Sequence, residues 1–157
     1  MVLTFEAEMI LRLILAATLG FFIGLERAFS GQPAGERTHA LVALGSATFA
    51  LLSVTVFKAG DPIRIAAGVV TGLGFLGAGM IWRRREDGVQ GLTTAAGIWV
   101  VGGVGLAIGA GAYLLGMTVA ILVMVFLWLD KVLKIDERVE RRREKEDRSK
   151  ESGGNRR

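Results

Sequence analysis

Apolar residues fall into five long runs along this chain, with most polar residues collected between them. The runs are Met9–Leu25, Thr38–Phe57, Pro62–Trp82, Leu92–Gly109 and Gly111–Leu129. About 20 apolar residues in a helix cross roughly 30 Å of hydrocarbon, so each run is of a length suited to a bilayer. None of them alternates apolar with polar positions, and in lipid an open strand leaves its N–H and C=O groups without partners. The pattern predicts an all-α, polytopic membrane helix bundle of about five transmembrane helices, with the two termini on opposite sides.

Local signals sharpen the ends. Asp61-Pro62 reads as a helix start, Asp as N-cap and Pro at the first helical position, where its missing N–H costs nothing. Asp87-Gly88 reads as a turn. The segment from Ser30 to Arg37, with Gly31, Pro33 and Gly35, reads as a loop. The connection between runs four and five is so short that a tight hairpin and a merged helix both fit. After the last run, Glu137 with Arg141, Glu144 with Arg148 and Glu146 with Lys150 stand at helical spacing. The expected organisation is a membrane domain over 1–130 and a charged cytoplasmic tail over 131–157, partly helical and then disordered.

Composition turns the pattern into an exclusion. The chain has 157 residues, 52% of them hydrophobic, and a mean hydropathy of +0.48, too apolar for a soluble domain of this size. Between Asp130 and Arg157 lie 11 Lys and Arg and 8 Asp and Glu, which leaves 15 charged side chains for the first 129 residues. Glu6 and Glu8 precede the first run, the reverse of the basic flank of a cleavable signal peptide, so the N-terminus reads as mature sequence. Arg27, Arg37, Arg83, Arg84, Arg85, Lys131 and Lys134 would share one side of the membrane, against Lys58 and Arg64 on the other. The positive-inside bias predicts an outer N-terminus and a cytoplasmic C-terminus. Basic clusters beside apolar segments suit anionic lipid head groups and argue against nucleic acid as a partner.

Small residues recur at four-residue spacing: Gly20 and Gly24, Gly68 and Gly72, Gly105 and Gly109. In lipid, such grooves let helix backbones approach closely, and helix packing is the reading preferred here over broken, ion-binding helices. Charges near membrane depth need a partner or a use. Arg12 stands one turn after Glu8, and with Lys58, Asp61 and Arg64 these residues form either an outer cluster or a set of solvated helix ends. On the inner side, Glu26, Arg27, Glu36, Arg37, Thr38, His39, Thr93 and Thr94 converge on three helix ends. They offer a hydrated cation a carboxylate, or an anion arginines and free N–H groups; the plain alternative is an ion pair of Glu26 with Arg37. Cysteine is absent, and no catalytic triad, phosphate-binding loop or metalloprotease helix is present, so an enzyme is not expected.

The run Gly24-Leu25-Glu26-Arg27, then Pro33-Ala34-Gly35 with Arg37-Thr38-His39-Ala40-Leu41-Val42, Asp61-Pro62 with Arg64-Ile65-Ala66, Gly72 to Gly79, and Gly91-Leu92-Thr93-Thr94-Ala95-Ala96 with Trp99 resembles the membrane domain of the MgtC/SapB family. The resemblance covers about the first 130 residues. It implies a small bacterial inner-membrane protein linked to magnesium homeostasis, and it puts Glu26, Arg27, Arg37, Thr38, His39, Asp61, Arg64, Thr93 and Thr94 at the family's polar motif positions. Longer members carry a folded cytoplasmic domain where this chain has a charged tail.

Two functions follow as expectations. One is binding or transport of Mg²⁺, with Glu26 and Asp61 as metal ligands. The other is a non-transporting regulator that binds membrane proteins, the F-type ATP synthase among those the resemblance implies. No acid lies in the middle of any span, which favours the second on physical grounds. A homo-oligomer is expected, and a dimer is the simplest choice.

Overall fold

The structure is a computed structural model that describes residues 4–56, 62–84 and 88–129. Side chains at 83, 84 and 88 are not described. The expectations for Lys58, Asp61, Arg85, Asp87 and the charged tail lie outside the described residues. Two compact units divide the chain, Met1–Met124 and Val125–Arg157, and of the second only 125–129 is described.

Five helices follow one another among the described residues: α1 (Phe5–Phe29), α2 (Glu36–Thr55), α3 (Pro62–Gly79), α4 (Leu92–Gly109) and α5 (Tyr113–Leu129). The first four are long and apolar enough to cross a membrane, and α5 is a shorter apolar helix. This is the all-α bundle the pattern predicts, and α4 has the predicted bounds. One element departs from the expectation. The third run reaches Trp82, yet α3 stops at Gly79, and β1 (Trp82–Arg84) pairs antiparallel with β2 (Gly88–Gln90) in a small hairpin. Gly91 takes φ +88° and lies against Met80, whose carbonyl oxygen would be 1.9 Å from a Cβ at that position. That approach draws the two ends of the connection together, and a two-stranded ladder at a helix end needs no lipid-facing edge.

Helix ends are closed by local hydrogen bonds. Thr4 caps α1, its hydroxyl accepting from the Ala7 N–H at 3.4 Å. The C-terminus of α1 closes as a Schellman motif: Gly31 is left-handed at φ +69°, the Gln32 N–H donates to the Arg27 carbonyl, and the Gly31 N–H donates to the Ala28 carbonyl, each at 3.0 Å. The same geometry ends α4, with Gly111 at φ +87°, Ala112 donating to Ala107 at 2.8 Å and Gly111 donating to Ile108 at 3.0 Å. Of the two possibilities for runs four and five, the tight turn is the one adopted.

The core is built from small side chains. Ala16, Ala43 and Ala47 are fully buried, with Ile23, Ile98, Val101, Val104 and Ile108 the larger members. Helix α2 lies between α1 and α4 at backbone contact. A Cβ on Gly20 would come within 2.5 Å of the His39 carbonyl oxygen, and one on Gly24 within 2.6 Å of the Gly35 carbonyl oxygen. From the other side, a Cβ on Gly105 would meet the Ala43 carbonyl oxygen at 2.3 Å, and one on Gly109 the Ala47 carbonyl oxygen at 2.5 Å. Gly68 and Gly72 are different: a Cβ on either meets nothing within 4 Å, so α3 does not use them to pack against the other described residues. It attaches instead by Leu73, which fills the space over Gly102, and by Gly77 against Ala95.

Overpacking a site with no room forces backbone shifts of about 1–3 kcal/mol or more. Gly105→Val is therefore expected to lower unfolding stability in detergent by at least that much. Gly103→Ala, where the added Cβ meets open space, should leave it unchanged or raise it by about 0.5–1 kcal/mol through helix propensity. Thermal unfolding of both variants checks the contrast.

Candidate functional site

Two polar clusters close the two ends of the α1, α2 and α4 core. At one end, Arg12 reaches from α1 to the turn between α4 and α5. Its Nε donates to the Tyr113 hydroxyl at 2.9 Å, one terminal nitrogen donates to the Gly109 carbonyl at 3.0 Å, and the other bonds and pairs with Glu8. The Tyr113 hydroxyl in turn donates to Glu8 Oε1 at 3.1 Å. Gly109 is in the last turn of α4, where carbonyls lack intrahelical partners and the helix dipole is negative, so the guanidinium caps the helix. The turn glycine makes room for it: a Cβ on Gly111 would stand 3.0 Å from the guanidinium. Arg64, expected near this end, is exposed on the first turn of α3 and is not among these partners of Arg12.

The other end gathers most of the inner polar motif. Arg27, His39 and Thr94 are 4%, 0% and 1% exposed, and Glu26 is nearly as well covered. They come from α1, α2 and α4, brought together because the loop from 30 to 35 folds the start of α2 onto the end of α1. Glu26 Oε1 accepts from the Ser30 hydroxyl at 2.6 Å, and its Oε2 faces an Arg27 terminal nitrogen at 3.5 Å. The expected pair of Glu26 with Arg37 does not form. The Arg37 side chain is 93% exposed and lies beside Glu36, because consecutive residues at a helix start point in different directions.

His39 lies within electrostatic reach of both Glu26 and Arg27. Its Nδ1 is 3.0 Å from the Gly35 carbonyl oxygen; a carbonyl only accepts, so Nδ1 carries a proton and donates it. Nε2 points toward α4, where a Cβ on Gly97 would be 3.5 Å away. The Thr94 hydroxyl donates to Gln32 Oε1 at 3.1 Å, tying α4 to the α1–α2 loop. Three buried atoms, Glu26 Oε2, Arg27 Nε and His39 Nε2, have no hydrogen-bond partner. Thr93 is exposed beside the cluster, and Thr38 is half-buried and faces away from it, into a groove between α2 and α3.

Sequence reasoning missed Ser30, Gln32 and Tyr113. Gln32 stands between Gly31 and Pro33 in a segment whose composition signals only a loop, and no spacing rule ties it to Thr94. Tyr113 carried a readable signal: it is the chain's single tyrosine, placed just after the glycine turn that ends an apolar run.

Chemically, this cluster is a buried ion pair with a histidine, and a dication fits it poorly. One oxygen of its only carboxylate accepts from Ser30, and the other faces a guanidinium that repels a cation, whereas Mg²⁺ requires several oxygen ligands in octahedral array. Among the described residues, no three His, Cys, Asp or Glu side chains gather to hold a metal.

Several apolar membrane-length helices, closed at both ends by polar clusters, define a multi-pass membrane protein. The MgtC family model matches residues 13–135, and the chain belongs to that family. Among relatives, the Escherichia coli K12 protein named "Putative magnesium transporter YhiD" is 46% identical over 129 residues, covering 77% of this chain and 60% of that protein. Protein MgtC of Salmonella typhimurium LT2 is 44% identical over 115 residues, covering 73% and 49%. Protein SapB of Bacillus subtilis is 37% identical over 116 residues, covering 69% and 50%. The chain thus spans about half to three-fifths of the length of these relatives. No solved structure matches it.

Removing one partner of a buried ion pair leaves an uncompensated charge, at about 3–5 kcal/mol. Arg27→Met is expected to destabilise the protein by that order. The double variant Arg27→Met with Glu26→Gln should recover most of the loss, as measured by unfolding of both in the same detergent.

Proposed function

We propose that this chain serves magnesium homeostasis in the bacterial inner membrane as a regulator that binds other membrane proteins, the F-type ATP synthase among the candidates. Mg²⁺ itself does not cross it in this reading. The observation that carries the reading is the engagement of Glu26: its two oxygens face Ser30 and Arg27, so the buried acid of the inner motif is committed to contacts at the end of its own helix. The tightly packed core between α1, α2 and α4 supports the same view, since the contacts at Gly20, Gly24, Gly105 and Gly109 leave no space between backbones. The basic bias of the loops supports a cytoplasmic C-terminus, and the open faces of α3 supply surface for a partner or a second copy.

Transport is the second reading, favoured by the name of the YhiD relative. It would need a route lined by backbone carbonyls, because acids are missing from mid-span. Flux measured with a Mg²⁺-sensitive dye in liposomes separates the two. The expected result is flux no greater than in empty vesicles, from protein whose folding is checked by its unfolding transition. Saturable Mg²⁺ flux that falls in Glu26→Gln would overturn the proposal and make the inner cluster a gate.

A further inference from the structure

Helices α2 and α3 do not close on each other. Between them runs a groove of about 820 Å³ whose lining is mostly apolar, with Phe49, Gly45, Gly68 and Gly72 along its length and Arg37 and Thr38 at one end. The glycines keep it open: a Cβ on Gly45, Gly68 or Gly72 meets nothing within 4 Å. At the end of the groove beside the α1–α2 loop, the Arg37 side chain is 93% exposed, and its Nε is 3.9 Å from Glu36, too long for a hydrogen bond. Because α3 runs back alongside α2, its C-terminus and the hairpin strand bearing Arg83 and Arg84 lie at this same end.

We propose that this groove is a binding site for one anionic phospholipid, with acyl chain along the glycine-lined shaft and phosphate on Arg37. Charge and lining both select this occupant. A hydrocarbon chain matches the apolar shaft, and the exposed Arg37 at its end matches a phosphate. A free phosphate has no use for an apolar shaft, whereas a lipid head group uses both the arginine and the shaft, as basic pockets between transmembrane helices do on the cytoplasmic side. Glu36 does not cancel the charge, because β1, which follows α3 at the same end, carries two further arginine positions, Arg83 and Arg84.

Native mass spectrometry of the whole protein, released from detergent with phosphatidylglycerol or phosphatidylcholine of identical acyl chains, tests the assignment. Phosphatidylglycerol should bind in preference. Arg37→Gln, at an exposed position, should weaken it about fivefold and erase the preference, while Gly72→Leu, where the added side chain enters the shaft, should reduce occupancy by both lipids. Gly68→Leu repeats that arm should Gly72→Leu fail to give a normal unfolding transition. Inorganic phosphate alone should leave the protein unbound. Equal binding of the two lipids to the unaltered chain, a preference that survives Arg37→Gln, or phosphate binding without lipid would each overturn the proposal. So would a dimer that Gly72→Leu converts to monomer with lipid occupancy unchanged, which would give the groove to a second copy.

Discussion

Backbone contact on both sides of α2 is the constraint on which the rest of the structure depends. In lipid, burying leucine between helices gains little, since the acyl chains are as apolar as the side chain. What remains is close dispersion contact and polar groups brought within reach, and both need backbones that nearly touch. Gly20 and Gly24 on α1 and Gly105 and Gly109 on α4 provide this against Ala43, Ala47 and the α2 carbonyls. A three-helix slab results, and α3 is left at its edge, held by Leu73 and Gly77. The groove between α2 and α3 exists because the glycines of α3 are turned away from this packing.

The slab also decides where charge can reside. Its core is filled by alanine and aliphatic side chains at backbone contact, so the charged groups gather at the two ends, where helix termini expose unpaired carbonyls and N–H groups. The ends are satisfied to different degrees. Every nitrogen of Arg12 has a partner, and its cluster joins α1 to the α4–α5 turn completely. The Glu26–Arg27–His39 cluster leaves three buried atoms unpaired. A polar network that is only partly satisfied holds its helices less firmly than a complete one, so the end that bears the family motif is the less firmly tied of the two.

Much of this was readable before any coordinates. The five runs, the α4 bounds, the loop from Ser30 to Arg37 and the Glu8–Arg12 pair follow from hydrophobic length, helix punctuation and four-residue spacing, which are local rules. What could not be read is relational. Gly68-xxx-Gly72 has the same spacing as Gly105-xxx-Gly109, and sequence alone does not say which pair faces a neighbour, because that depends on the rotation of the whole helix. The hairpin at Trp82–Gln90 was missed since Trp82 and Ile81 extend an apolar run beyond the point where α3 ends. Gln32 and Tyr113 were missed because their partners, Thr94 and Arg12, lie 62 and 101 positions away.

The motif Arg37-Thr38-His39 makes the same point at the level of function. As a string it reads as a single site. On a helix each residue is turned about 100° from the last, and at the start of α2 this is enough to divide the three between two surfaces. His39 enters the slab beside Glu26 and Arg27, whereas Arg37 and Thr38 border the α2–α3 groove. A substitution at His39 therefore acts on packing and on the buried charge balance, and one at Arg37 acts at the mouth of the groove. Contiguity in the motif reflects a shared helix start, where the chain must leave a polar loop and enter an apolar slab. The chemistry of its members is separate, joined only through the rigid turn of helix that carries them both.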